Sequence, residues 1–185
     1  MARTESVMLA LGTEAPDFSL PNVLTGQNVS MRSAAGPKGL LVMFICRHCP
    51  FVKHVETELA TLGRDYDGKG IGIVAISSND AANYPDDAPQ SLAVQARELG
   101  FPFPYLYDES QETARAFDAA CTPDFFLFDD NLKLAYCGQF DDSRPGNNIP
   151  VTGKDLRHAM DAVIAGEPAH PIQKPSIGCN IKWKD

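Results

Sequence analysis

The chain has 185 residues, 44% hydrophobic and 22% charged, the composition of one soluble globular domain, which excludes disordered, collagen-like and disulfide-scaffold classes. Twenty-four acidic against sixteen basic residues give a net charge of −8, which argues against nucleic acid and anionic membrane surfaces as partners. The longest apolar run, Leu40 to Cys46, falls far short of the roughly 18 to 20 residues of a membrane span, and Met1 to Leu11 has no export signal, so the expected location is cytoplasmic.

Taken in order, Pro16 to Met31 alternates in short apolar segments around Thr25-Gly26-Gln27, which predicts an N-terminal hairpin. Leu40 to Ile45 is apolar on both alternating faces, as in a central strand covered on both sides. Val52, Val55, Leu59, Leu62 and Tyr66 then recur at spacings of three and four, predicting an amphipathic helix that ends at Asp67-Gly68. Ile71 to Ile76 is a second apolar strand, so strand, helix and strand form a right-handed parallel unit. Leu92, Ala96 and Leu99 mark a helix closed by Gly100, Phe103 to Tyr107 a short strand, and Ser110 the cap of a short helix through Phe117. Phe125 to Phe128 and Leu132 to Cys137 flank Asp129-Asp130-Asn131 as an antiparallel hairpin. Leu156, Ala159, Met160, Val163 and Ile164 form a last helix, stopped by Gly166 and Pro168. The expectation is one α/β domain over residues 1–185, a mixed sheet flanked by helices, with an extended C-terminal tail over 167–185.

Five cysteines, at 46, 49, 121, 137 and 179, are an odd number, so redox or metal chemistry explains them better than static bridges. Cys46-Arg47-His48-Cys49 falls where a strand meets a helix. Thiol exchange needs one thiolate to attack and a second thiol near enough to release the mixed disulfide, and two intervening residues supply that nearness. Placing Cys46 at the helix start makes it the expected thiolate, stabilised by unpaired N–H groups, the helix dipole and Arg47. His48 is a candidate for tuning the thiols. Half of a zinc site would need a second such pair, which the sequence lacks. His158 and His170 read as surface residues and Cys137 as packing within a strand, while His54 stays open between a functional and a bland role.

Several segments carry a resemblance: Phe44-Ile-Cys-Arg-His-Cys-Pro-Phe-Val-Lys53, Phe103-Pro-Tyr-Leu-Tyr-Asp-Glu-Ser-Gln111, Cys121-Thr-Pro-Asp-Phe-Phe-Leu-Phe128, Gly138-Gln-Phe-Asp-Asp-Ser-Arg144 and Pro175-Ser-Ile-Gly-Cys-Asn-Ile-Lys-Trp-Lys184. The chain resembles the thioredoxin-like redoxins, in a branch related to the AhpC/TSA group. The resemblance implies a thioredoxin-like fold, a cis proline at Pro123 against the cysteine pair, and a thiol-disulfide oxidoreductase that works without a bound cofactor or metal. It implies Cys46, Cys49, His48 and Pro123 as catalytic residues. Its partners would be thiol or disulfide substrates and a redox partner. Thioredoxins differ in carrying a tryptophan before the first cysteine, Gly-Pro inside the pair and a buried acid six positions before it, where this chain has Ile45, Arg47-His48 and Leu40.

Peroxiredoxins share the fold but place a Thr or Ser three residues before the peroxidatic cysteine, where Met43 precedes Cys46 and Cys46 precedes Cys49. A thiol-dependent peroxidase, with Arg144 serving the peroxide, is therefore an alternative, and so is a Cu(I)- or Zn(II)-binding protein using Cys46, Cys49 and His48 or His54. Thr122, Cys121, Arg144 and Cys179 are candidates for the substrate rim or for additional redox thiols. For Cys121 and Cys179, packing or simple exposure stands beside that reading. The loop over 138–150 should rim the site, with Asp141, Asp142 and Arg144 as candidate partner contacts.

Overall fold

A computed structural model describes residues 2–185. The expected N-terminal hairpin is there: after a short strand β1 (Arg3–Glu5), β2 (Ser19–Pro21) pairs antiparallel with β3 (Asn28–Ser30). A single helical turn α1 (Met31–Ala34) follows, capped by Ser30, whose hydroxyl accepts from the Ser33 N–H. The core strand β4 (Gly39–Phe44) is buried along its whole length. Helix α2 (Pro50–Asp65) and β5 (Ile71–Ser77) complete the parallel unit. Beyond a 3-10 turn at Pro85–Asp87, α3 (Pro89–Leu99) ends on Gly100, whose φ of 63° is the left-handed conformation a helix stop favours.

The rest of the chain adds β6 (Tyr105–Tyr107), α4 (Glu112–Ala116), β7 (Cys121–Thr122), β8 (Asp124–Phe128), β9 (Leu134–Cys137) and α5 (Lys154–Ile164). The cap of α4 is Gln111, in the left-handed region at φ 64°, and not Ser110, although the Ser110 hydroxyl still accepts the Glu112 N–H. Five strands form the main sheet in the order β6-β5-β4-β8-β9. β4, β5 and β6 run parallel, and β8 lies antiparallel to β4 and β9.

Because side chains alternate across a strand, β4 divides the core in two. Leu41, Met43 and Ile45 pack with Val52, Val55 and Leu59 of α2, Leu92 of α3, and Leu156 and Met160 of α5. Leu40, Val42 and Phe44 face the other way, toward Phe18, Met31, Ala114 and Phe117. Phe117 meets Phe44, Phe126 and Phe128 edge-on at 5.4 to 6.0 Å, the geometry aromatic quadrupoles prefer. No helix among the described residues is long and apolar enough to cross a membrane.

Segment 167–185, expected as an extended tail, contains a strand, β10 (Ile177–Asn180), at the centre of a second sheet ordered β1-β10-β7. The apolar pattern of Ile177 to Ile181 is too short to announce a strand, and its partners lie far away in sequence. Gly178 makes the approach possible, since a Cβ there would stand 2.0 Å from the Thr122 carbonyl oxygen. The chain passes from this sheet to the main one at the Thr122–Pro123 bond, which is cis.

Just past that junction Asp124 is fully buried, with Oδ1 unpartnered and Oδ2 accepting the Ala120 N–H at 3.0 Å. Burial raises its carboxyl to about 7, against the opposing effect of backbone N–H groups. The native state therefore keeps a proton that the unfolded chain loses near 3.8. Folding stability should fall as pH rises between those values, by about 1.4 kcal/mol per unit at most. Denaturant unfolding at pH 4.5 and 7.5 checks this: Asp124→Asn should flatten the difference, and a slope that persists in the variant assigns it elsewhere.

Candidate active site

The cysteine pair lies where β4 leaves the sheet and α2 begins. α2 starts at Pro50, with Cys49 as its N-cap, so the cysteine at the helix start is Cys49 and not Cys46. Proline suits the first helical position because the missing N–H has no partner there in any case. Cys46 to Cys49 form the connecting loop, and both sulfurs are buried as free thiols. Thr122 touches both, its hydroxyl 3.4 Å from Cys46 Sγ and its carbonyl oxygen 3.2 Å from Cys49 Sγ.

Leu40 stands where an acid six positions before Cys46 would be, and a buried acid comes instead from the loop before α3. Asp87, fully buried, accepts the backbone N–H of Arg47 at 2.8 Å and of His48 at 3.2 Å through Oδ1. Its Oδ2 meets His48 Nδ1 and accepts from Asn79 Nδ2 at 2.9 Å. An unpaired buried N–H costs about 1 to 3 kcal/mol, so this one carboxylate fixes both the loop and the imidazole. His48 also stacks on Tyr84 at 5.5 Å, and its Nε2 is buried without a partner. Atoms of Cys46, His48 and Asp87 lie within 4.8 Å of one another. Gln95 completes the frame, donating to the Cys46 carbonyl at 3.2 Å and to Glu56 at 2.9 Å while accepting from Tyr105 at 3.0 Å.

These surroundings act in opposite directions on the two thiols. Cys46 is pushed up, first by burial, then by its hydrogen bond to Cys49 and the negative charge of Asp87. Cys49 is lowered to about 5 by hydrogen bonds from Cys46, and further by Cys179, Thr122 and the Val52 N–H, which together outweigh its burial. The N-terminal end of a 16-residue helix acts in the same direction.

Other expected residues divide. Cys179 on β10 lies directly opposite Thr122, is 3% exposed and joins the core around the pair. Cys121, the neighbour of Thr122 along β7, is also buried, and its thiol is pushed up by burial and by Asp124, which fits the packing role. Cys137 packs as expected, near the Val7 carbonyl at 3.5 Å. A small hollow beside Pro123 is lined by Phe51, His54, Gln139, Phe140 and Arg144, so the 138–150 loop does reach this end of the molecule. His54 ties that loop to α2 through Ser143 at 2.7 Å.

The loop acids are engaged within the protein. Asp141 accepts the Thr152 and Gly153 N–H groups before α5, each at 2.7 Å, and Asp142 bonds Lys154 and Lys174. Arg144 donates to the Asp141 and Ser143 carbonyls and to Gln139. Asp87 and Asn79 were not singled out from the sequence. They stand in a polar loop indistinguishable from a solvated one, and only the run Asp86-Asp87-Ala88-Pro89 before a helix hinted at a fixed turn.

A model of the AhpC/TSA family matches residues 11–137. No curated protein matches the sequence. Among solved structures, an uncharacterized conserved protein from Geobacillus kaustophilus is 56% identical over 100% of this chain and 97% of its own, with a TM-score of 0.97. A hypothetical protein from Sinorhizobium meliloti 1021 is 48% identical over 98% of each chain, with a TM-score of 0.95. A thiol:disulfide interchange protein of the thioredoxin family from Chlorobium tepidum TLS is 18% identical over 85% of this chain and 99% of its own, at a TM-score of 0.64. The fold is thioredoxin-like.

The acidity order gives a direct test. Thiolate reacts and thiol does not, so alkylation at Cys49 should rise with pH through about 5 and level off by neutral pH, ahead of the other four cysteines. Peptide mapping after a limiting dose of iodoacetamide reads the order. First labelling at Cys46 would restore the assignment made from sequence.

Proposed function

The chain belongs to the AhpC/TSA family, and from that membership we propose that it is a thiol-disulfide oxidoreductase working through Cys46 and Cys49. One observation carries the reading: two buried free thiols three residues apart, Cys49 at the N-cap of α2 and Cys46 before it, with Thr122 touching both sulfurs. In the reducing direction, Cys49 thiolate attacks one sulfur of a substrate disulfide, forming a mixed disulfide and releasing the other substrate sulfur as a thiolate that takes up a proton. Cys46 then gives up its proton and attacks Cys49 Sγ. The substrate sulfur bound to Cys49 leaves in turn as a thiolate and takes up a proton, so two electrons pass to the substrate and the pair becomes a disulfide. Cys46 needs a base, and that role falls to His48, which Asp87 orients and which has a ring nitrogen within 4.8 Å of the Cys46 sulfur.

The peroxide-consuming alternative gains a hydroxyl near sulfur from Thr122, on a different element from the one the peroxidase pattern uses. It gains no guanidinium, because the terminal nitrogens of Arg144 are spent on its own loop. The metal-binding alternative has a specific observation in its favour, although with a donor set that differs from the expected one. Cys46, His48 and Asp87 offer sulfur, nitrogen and oxygen within 4.8 Å, a set that suits Zn(II), while His54 is engaged with Ser143.

Reduction of a model protein disulfide, with dithiothreitol or glutathione as electron source, tests the leading reading. Wild type should turn over. Cys49→Ser should be inactive, and Cys46→Ser should lose about a hundredfold or more of turnover while accumulating the mixed disulfide at Cys49. Failure of the wild type to exchange disulfides would sink the proposal.

The metal reading has its own check in the zinc content of protein purified under reducing conditions without chelator. The redox reading expects substoichiometric zinc. One bound equivalent, lost in both Cys46→Ser and His48→Ala, would put the metal role in its place.

A further inference from the structure

Cys49 has a thiol on each side, and the reaction above uses only one. β10 runs antiparallel to β7 with Cys179 opposite Thr122 and Asn180 opposite Cys121. Thr122 is the residue whose hydroxyl and carbonyl reach the two sulfurs of the pair. Cys179 is thereby carried into the buried cluster that holds Cys46 and Cys49. Three contacts hold this arrangement. Gly178 leaves no room for a Cβ against Thr122, the Ser176 hydroxyl donates to the Pro123 carbonyl at 2.7 Å, and the Ile181 N–H donates to the Ala120 carbonyl at 3.1 Å.

We propose that Cys179 is a third redox thiol of the centre, and that the disulfide between Cys46 and Cys49 passes on to Cys49 and Cys179. This rests on the oxidoreductase reading above. Cys179 loses its proton and its sulfur attacks Cys49 Sγ. The Cys46–Cys49 bond breaks, the Cys49–Cys179 bond forms, and Cys46 leaves as a thiolate that takes a proton. One disulfide replaces another, so no external oxidant or reductant enters the step. His48 and Asp87 stand on the Cys46 side, where the departing sulfur needs its proton. The exchange has a structural meaning too: it would bolt the C-terminal strand to the start of α2 and return Cys46 to the thiol state.

Because Arg47 separates the two cysteines of the pair, trypsin puts Cys46 and Cys49 on different peptides, and all three pairings can be told apart. Protein oxidised with excess oxidised glutathione, quenched in acid, alkylated and digested should yield both Cys46–Cys49 and Cys49–Cys179 from wild type. Cys46→Ser should yield Cys49–Cys179 alone, and Cys179→Ser should yield Cys46–Cys49 alone. Cys46–Cys49 as the sole disulfide of wild type, or Cys49 and Cys179 both unpaired in a folded Cys46→Ser protein, overturns the third thiol and leaves the pair standing. A wild type with no disulfide at any of the three cysteines would take down the oxidoreductase reading with it. The wild-type measurement needs no substitution, so the test survives a variant that fails to fold.

Discussion

The buried carboxylate of Asp87 is the contact on which the site depends. It comes from a turn outside the strand-helix unit that carries the cysteines, yet it holds two backbone N–H groups and the imidazole of the loop between them. Without it, the segment from Cys46 to Cys49 would have its N–H groups facing protein without acceptors, and β4 could not hand over to α2 at a fixed place. The same carboxylate accepts from Asn79, whose carbonyl oxygen takes the Lys182 N–H at 2.9 Å. One chain of hydrogen bonds thus links the cysteine loop to the segment that follows β10. A displacement at either end has a direct physical route to the other.

Asp87 also settles where negative charge can reside. Two neighbouring thiols in a dry site cannot both ionise, because each anion raises the energy of the other. A fixed carboxylate on the Cys46 side and a helix N-terminus on the Cys49 side break the tie in one direction. The asymmetry comes from backbone placement and not from the identity of the residues between the cysteines. The part of Arg47 that meets the acid is its backbone N–H.

Much of the fold was legible because apolar periodicity reports burial, and β4, α2, β5 and α5 bury one face or two along most of their length. The thiols and the Thr-Pro step were legible because their chemistry is tied to residue type. Three things were not. The starting residue of α2 depends on cap geometry, which Cys49-Pro50 fits better than Cys46, but the spacing of apolar residues does not resolve it. Asp87 and Asn79 look like any polar loop until their partners are known. β10 is only four residues long and is stabilised by strands from the opposite end of the chain.

That last pairing bears on how a site with both sulfurs buried reacts at all. Thr4 pairs with Gly178 and Glu5 with Ile177, so the cover beside Cys49 is held by short strands rather than by the main sheet. Short edges open at lower free energy than a core does. On the proposed reading, the rate at which Cys49 meets a disulfide is the product of its intrinsic reactivity and the fraction of time the cover is open. The temperature dependence of the reaction would carry the enthalpy of that opening as well as that of the chemistry, and a partner that grips either short strand would set the pace without touching sulfur.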